Sequence, residues 1–162
     1  MVTYRARLAT LDDLDTLVQQ RVGMFTDMGV PMDPETMATA YREWLRETLP
    51  DGTYRAWVVE HDEDGRRGGI VGGGGLTVLP WPPGPQALGG RIGFVFNIYT
   101  EPPHRNRGVG RLVMDTIHGW CREQGIDGVR LNASAEGQPL YTALGYTLVL
   151  SPMMQIGLGT RD

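Results

Sequence analysis

Residues 101–114 read EPPHRNRGVGRLVM and set Arg105, Arg107 and Arg111 around Gly108 and Gly110, directly before a run of helix formers. These types at this spacing suit anion binding. In the helix that follows, Val109, Leu112, Val113, Thr116, Ile117, Trp120 and Cys121 share one face, and Arg111, Asp115, His118 and Arg122 share the other. The helix therefore starts at Gly108–Arg111, where the first amides have no intrahelical carbonyl and carry partial positive charge. Glycine at 108 and 110 removes side chains that would hold a ligand's oxygens away, and the arginines add full charge. A multiply charged phosphate fits, and a diphosphate can span several amides. An ordinary capped loop with solvated arginines uses the same residues. The position between a bulky strand and an amphipathic helix favours the anion site.

A second glycine tract, GGIVGGGGLTV at 68–78, lacks what a phosphate loop needs. Leu76–Leu79 continues as strand, so no helix dipole follows, and no P-loop lysine is present. A bulged or closely approached strand is the favoured reading. For the loop at 105–111 a dinucleotide fold is a poor rival, because the glycine turn of that fold belongs to the first strand–helix unit and this loop lies two thirds of the way along.

The elements that must position the cationic loop follow from periodicity. TYRARLAT at 3–10 reads as a strand, and Thr10 caps a helix whose apolar residues are Leu14, Leu17, Val18, Val22, Phe25 and Met28. Gly29 and Pro31 stop it, and Asp33-Pro34 starts a second helix with Met37, Tyr41, Trp44, Leu45 and Leu49 as its buried stripe. A turn is expected at Pro50–Gly52. Strands follow at 54–61 and 70–79, joined by a charged hairpin connection. The loop PWPPGPQALGGR comes next, and its PWPPGP segment suits a lid, a homodimer contact or plain surface. IGFVFNIYT at 92–100 is apolar on both faces and reads as a central strand. After the cationic loop and its helix come a strand VRLNAS at 129–134, a short helix GQPLYTAL and two last strands, YTLVL and MMQIGL. The expectation is an α+β (mixed α/β) fold, one domain over residues 1–162, with six to seven strands and about four helices around one sheet.

Composition excludes several classes. The formal net charge of −4 opposes a general nucleic-acid surface. One cysteine, Cys121, forbids an internal disulfide and fits a reducing compartment; packing on the apolar helix face is its favoured role. His61, His104 and His118 are scattered, so metal-ligand spacing is absent. The N-terminus is too polar for a signal peptide, and no apolar run approaches a membrane span. A cytoplasmic protein with neither nucleic acid nor membrane as partner is the simplest reading.

Arg105-Asn106-Arg107-Gly108-Val109-Gly110 matches the Gln/Arg-x-x-Gly-x-Gly/Ala signature of the GNAT superfamily of acetyl-CoA-dependent N-acetyltransferases, and LNASAEGQPLYTALGY at 131–146 is similar to its LYxxLGF segment. The resemblance covers about Ile92–Tyr146 closely. It implies a central mixed, mostly antiparallel sheet splayed into a V between the strand ending at Thr100 and that ending near Asn132. In the V the resemblance places acetyl-CoA, with its pyrophosphate on the amides from Asn106 to Arg111 and its pantetheine arm along the main chain of Ile98, Tyr99 and Thr100. An amide-bearing arm can satisfy backbone groups that a splayed strand leaves unpaired. Tyr141 falls on the motif's tyrosine and is implied to protonate the departing thiolate; the plain alternative is packing beside Leu140 and Leu144. Ser134 stands where many members carry a pantetheine-contacting asparagine, or simply caps the short helix. Asn132 is a weaker candidate for the same contact.

The implied reaction is direct attack of an amine on the acetyl thioester, with no acyl-enzyme and no metal. Many members carry a carboxylate in the strand before the loop; here Asn97 is the only strongly polar interior side chain of IGFVFNIYT. Asn97 can orient a substrate or water but is no base near neutrality. Glu101, Asp27, His104, Glu136 or a water relay remain open as the base. The acceptor, a small-molecule or peptide amine, is hidden in the early helices, where MFTDMGVPMD is expected to line its side with adaptable methionines and Asp27 to attract a cation. The rival classes are a non-catalytic acyl-CoA sensor on the same fold and a nucleotide phosphotransferase, which the missing P-loop lysine disfavours.

Overall fold

The computed structural model describes residues 1–159. The chain folds as two compact units, Met1–Asn132 and the segment from Ala133 onward. In the first unit, β1 (Val2–Leu8) leads through a 3-10 turn (Leu11–Asp13) into α1 (Leu14–Asp27) and α2 (Pro34–Asp51). Then come β2 (Arg55–Glu63), β3 (Arg66–Pro80), β4 (Arg91–Thr100), a 3-10 turn (Pro102–His104), α3 (Val109–Glu123) and β5 (Val129–Leu131). The sheet order is β1-β2-β3-β4-β5, antiparallel except for the parallel β4–β5 pair.

Local chemistry explains most of these boundaries. Asp64 and Gly65, at φ 50° and 77°, make the left-handed two-residue turn that suits the twist of the β2–β3 hairpin. Asp33 accepts from the Thr36 amide at 2.9 Å and caps α2, with Pro34 in its first turn. The turn expected at Pro50–Gly52 is displaced: Pro50 lies inside the last turn of α2, and Gly52, left-handed at φ 77°, ends the helix. Trp44, placed by periodicity in the buried stripe, is 39% exposed and lies over Tyr41 and Tyr54 at centroid distances of 5.7 and 4.9 Å.

The glycine tract is a continuous part of β3, and its four glycines serve two layers alternately. A Cβ at Gly72 would come within 2.7 Å of Val109, and one at Gly74 within 2.3 Å of Ile98 and 2.9 Å of Val113. On the opposite face, a Cβ at Gly73 would meet Gln20 at 2.9 Å and one at Gly75 the Tyr54 hydroxyl at 1.9 Å. Side chains of α3 thus press onto one face of β3, and Gln20 and Tyr54 onto the other. A register shift between Gly73 and Gly75 marks a bulge against β4.

Two strand expectations fail. VRLNAS yields only the three residues Val129–Leu131. YTLVL and MMQIGL form no strand among the described residues, so the sheet has five strands and not six or seven. A strand exists only by pairing, and these runs find no partner edge. Leu148, Val149, Leu150, Met153, Met154, Ile156 and Leu158 remain exposed, from 67 to 102%. In this second unit the regular element is α4 (Gln138–Ala143), ended by left-handed Gly145.

The PWPPGP loop is the β3–β4 connection. Trp81 N–H donates to Gly90, and Asp127 accepts from the amides of Leu88 and Gly89 at 3.0 and 3.1 Å.

A buried ion-pair cluster ties β1 to the start of α1. Arg7 makes two 2.8 Å bonds to Asp13, which is 6% exposed, and a third at 2.7 Å to Glu60. The Arg7 side chain holds the Asp13 carboxyl below the usual range, and Arg7 and Arg5 bring Glu60 to about 2. Lowered carboxylate values stabilise the fold above the ordinary range near 4, and that contribution is lost as pH falls toward 2. Arg7→Ala leaves Asp13 buried and unpaired. It should lower stability by about 2 kcal/mol, the cost of breaking a buried pair discounted for the part-exposed arginine. It should also flatten the loss of stability between pH 4 and 2. Urea unfolding across that pH range measures both.

Candidate active site

Strand β4 is paired unequally on its two edges. Toward β3 it pairs along its length, from Pro80↔Arg91 to Gly72↔Thr100. Toward β5 it pairs only at Gly93, Phe94 and Val95. From Phe96 to Thr100 that edge has no strand partner among the described residues. The Glu101 amide donates to Val71 of β3 at 2.8 Å, so alternation turns the main-chain groups of Thr100 and Ile98 to the opposite, open edge. There the Thr100 carbonyl already accepts from Arg105 Nε at 2.9 Å.

The cationic loop continues from this edge. Asn106 and Gly108 are left-handed, at φ 59° and 86°. Gly108 is the N-cap of α3 and supplies no side-chain cap; a Cβ there would meet nothing within 4 Å. The first i→i−4 bond runs from Leu112 to Gly108 at 3.0 Å, so the amides of Val109, Gly110 and Arg111 precede the helical ladder. Val109, 1% exposed, anchors this start on Gly72, while Asn106, Arg107, Gly108 and Arg111 are exposed. Arg105 differs from the other two arginines. It folds back on β4, pairs with Asp27 of α1, and sits 5.7 Å from the Tyr99 ring. The cation expected near Asp27 is therefore Arg105.

Asn97 is the hub of a polar cluster on the α1–α2 side of β4. It occupies the bulge at φ 60°, in the left-handed region that asparagine tolerates. Its Nδ2 donates to the hydroxyls of Tyr54 at 2.8 Å and Tyr41 at 3.0 Å, and its Oδ1 accepts from Arg21 Nη1. Both amide protons and one of the two oxygen lone pairs are thus in use. Burial raises both phenols above their ordinary value; hydrogen bonds from Tyr41 and Asn97 partly offset this at Tyr54.

The remaining candidates divide between places. His104 Nδ1 lies 3.0 Å from the Tyr4 hydroxyl and its ring 4.8 Å from that of His61. Burial first, then the charges of His61 and Arg107, lower its pKa and keep it neutral near pH 7. Asn132 is exposed at the end of the first unit. In the second unit, Ser134 Oγ accepts from the Gly137 amide at 3.1 Å, the local cap foreseen as its plain role, and Glu136 is exposed. Tyr141 is 9% exposed and lies 5.9 Å from the Tyr146 ring; burial raises its phenol. Gly137 makes room for it, since a Cβ there would come within 2.9 Å of the Tyr141 ring. Cys121 is 2% exposed, and its thiol is pushed up by burial. Among the described residues no group of three or more His, Cys, Asp or Glu could hold a metal, and no helix is long and apolar enough to cross a membrane.

Arg21, Tyr41 and Tyr54 were not singled out as polar site residues by the sequence reading. One signal was available: Arg21 lies four residues from both Leu17 and Phe25, so a charge interrupts the apolar stripe of α1.

The sequence matches the model of the acetyltransferase (GNAT) family over residues 19–146. No curated protein matches it. Among solved structures, a GCN5-related N-acetyltransferase from Ralstonia eutropha JMP134 is 34% identical, with a TM-score of 0.81 over 95% of this chain and 99% of that one. A protein from Clostridium acetobutylicum, crystallised with acetyl-CoA and assigned as an acetyltransferase by prediction, is 23% identical, with a TM-score of 0.80 over 98 and 97% of the two chains. Glucosamine-6-phosphate N-acetyltransferase from Arabidopsis thaliana shares the fold at 16% identity and a TM-score of 0.71, over 97 and 99%.

The Asn97 hub makes a separable prediction. Asn97→Ala removes the bonds to Tyr41, Tyr54 and Arg21 and also strains the left-handed backbone. Asn97→Gly removes the same bonds without the strain. Chemical denaturation should show Ala destabilised by about 2–4 kcal/mol and Gly by roughly 1 kcal/mol less. Equal midpoints for wild type and Ala would show that the hub does not hold the bulge.

Proposed function

The chain belongs to the GNAT acetyltransferase family, and from that premise we propose that it moves an acetyl group from acetyl-CoA to a primary amine by direct attack. The observation that carries this reading is the open edge of β4 running into the uncapped, glycine-started α3. Together these offer main-chain hydrogen-bonding groups for an amide-bearing arm and partnerless amides for a pyrophosphate, and Gly108 leaves the space for it. When bound, acetyl-CoA supplies the acyl group and a thiolate leaving group.

The chain's own residues then divide the work. Ile98 and Thr100 hold the arm with the main-chain groups they turn to the open edge, Tyr99 joins them from the strand between, and Arg105 shares the Thr100 carbonyl. The amides from Asn106 to Arg111 hold the pyrophosphate, and Arg107 and Arg111 add charge. Asn132 and Ser134 are assigned secondary contacts to the arm. Asn97 acts by orientation, through the bulge it stabilises, and not as a base. Tyr141 is assigned the proton donation to the thiolate; burial, which keeps its phenol protonated beyond the ordinary range, supports this. We treat residues 1–162 as one domain, because the family match spans both compact units. A cytoplasmic location is part of the same reading.

One observation favours a second reading, a non-catalytic acyl-CoA sensor: β4 carries no carboxylate, and both Asn97 amide protons are engaged within the fold. Thermal shift and thiol release separate the two. Acetyl-CoA should raise Tm progressively with its concentration, and a panel of amines should include acceptors that release free thiol. Stabilisation without thiol release from any amine would favour the sensor, and no stabilisation by any acyl-CoA would overturn both. Tyr141→Phe should keep the thermal shift and lower kcat by roughly 10–100-fold. Because the folded phenol titrates above its ordinary value of 10, the wild-type rate should not fall between pH 8 and 9. A descending limb centred there would remove Tyr141 from the donor role.

A further inference from the structure

Arg21 is a part-buried cation without an ionic partner. Of the other part-buried arginines, Arg7 is neutralised by Asp13 and Glu60, Arg42 by Asp15 and Arg105 by Asp27. Arg55 shares the lack of an ion pair and the unpartnered Nε, but it lies 4.7 Å from the Trp120 ring and makes no bond to Asn97 of β4. No carboxylate among the described residues pairs with Arg21. Its guanidinium carbon lies 4.9 Å from the Phe25 ring centre and 4.7 Å from that of Tyr41. Those rings attract the cation through their π faces and accept none of its N–H hydrogen bonds in the way a carboxylate does. On the edges, Nη1 donates to neutral Asn97 Oδ1, while Nε is buried with no hydrogen-bond partner. Beside it on α1, Gln20 is 3% exposed and its Nε2 is likewise without a partner.

A guanidinium whose Nη1 is occupied presents one further edge, Nε with Nη2. Two parallel N–H groups there match the two oxygens of a carboxylate. A cation withdrawn from water without a counter-charge is costly, and an unmade hydrogen bond at Nε adds to that cost. Both are relieved by a ligand carboxylate at that edge. The place is also right for an acceptor, because Asn97, which Arg21 touches, lies within the stretch Phe96–Thr100 of β4 that has no partner on its open edge among the described residues.

We propose that Arg21 is the specificity-determining residue of the acceptor side, and that it recognises a carboxylate carried by the amine. The acceptor class is then an amino acid or a similar amino-carboxylate, not a simple amine. The inference rests on the acetyltransferase reading above and names the substrate class of the same site.

The test compares amino acids with their carboxamides as acceptors, by thiol release and mass-spectrometric detection of the acetylated product. Thermal shift with acetyl-CoA runs in parallel. In the wild type, kcat/KM for the preferred acid should exceed that for its amide by roughly tenfold or more, the size of a lost charge-assisted pair. Arg21→Gln should abolish that preference by lowering the rate on acids far more than on amides; any loss common to both acceptors, or in the acetyl-CoA thermal shift, reads the bond that Arg21 also gives the Asn97 bulge. Arg21→Lys, which keeps the charge and loses the paired edge, should fall between them. Equal use of acid and amide by the wild type would overturn the assignment. So would an equal loss on both in Arg21→Gln, or no acid acetylated by enzyme that acetyl-CoA stabilises. If acetyl-CoA fails to stabilise even the wild type, the acetyltransferase reading falls first and this inference with it.

Discussion

From Phe96 to Thr100, β4 turns alternate main-chain hydrogen-bonding groups, those of Ile98 and Thr100 among them, to an edge that no strand receives among the described residues. An unpaired polar edge in a folded domain is costly unless water or a ligand satisfies it. The surrounding structure keeps that edge available. The parallel partner β5 is only three residues long and pairs only at the far half of the strand. The bulge at Asn97 changes the direction of β4 just where pairing ends, and Asn97 fixes the bulge through Tyr41, Tyr54 and Arg21. Opening the edge is therefore a property of two helices and the turn before β2 acting on one residue, and not of β4 alone.

The glycines of β3 make this geometry possible from the other side. Each would collide with a neighbour if it carried a Cβ: Gly72 and Gly74 with Val109, Ile98 and Val113, and Gly73 and Gly75 with Gln20 and Tyr54. Their missing side chains let α3 settle so that its uncapped N-terminus follows directly from the end of β4. They also let Tyr54 reach across the strand to Asn97. A tract that resembles a phosphate loop by composition thus serves the cationic loop at 105–111 by lending its helix space. Its contribution is packing density, where side-chain volume on both faces must be close to zero.

What was legible in the sequence follows the range of the interactions. The loop and α3 were legible because helix-start chemistry is local: glycine, amide and arginine lie within seven residues, 105–111. The order of the early elements was legible from period and caps. Asn97 was visible as an odd polar residue, but its partners lie 43, 56 and 76 positions away, so its bonding was not. Arg105 was read as one of three equivalent cations; its pairing with Asp27, 78 positions away, sets it apart. The last two strands were misread for a related reason. Apolar alternation at 146–158 states a capacity to pair, and the edge that would realise it is not coded in the same stretch.

This difference in range has a functional consequence. The donor side proposed above uses mainly main-chain atoms: carbonyls and amides of β4 and the first amides of α3. Such groups are indifferent to side-chain identity, provided glycine stands where close approach is needed. A short motif can therefore announce them. The acceptor side proposed above rests instead on side chains of α1 and α2, with Arg21 and Tyr41 meeting Asn97 through tertiary contact. Substitution there acts on the bulge as well, because the same side chains supply hydrogen bonds of Asn97. A charge on the apolar stripe of α1 is the one local trace of that chemistry in the sequence. It gains meaning only when the fold shows that no carboxylate among the described residues answers it.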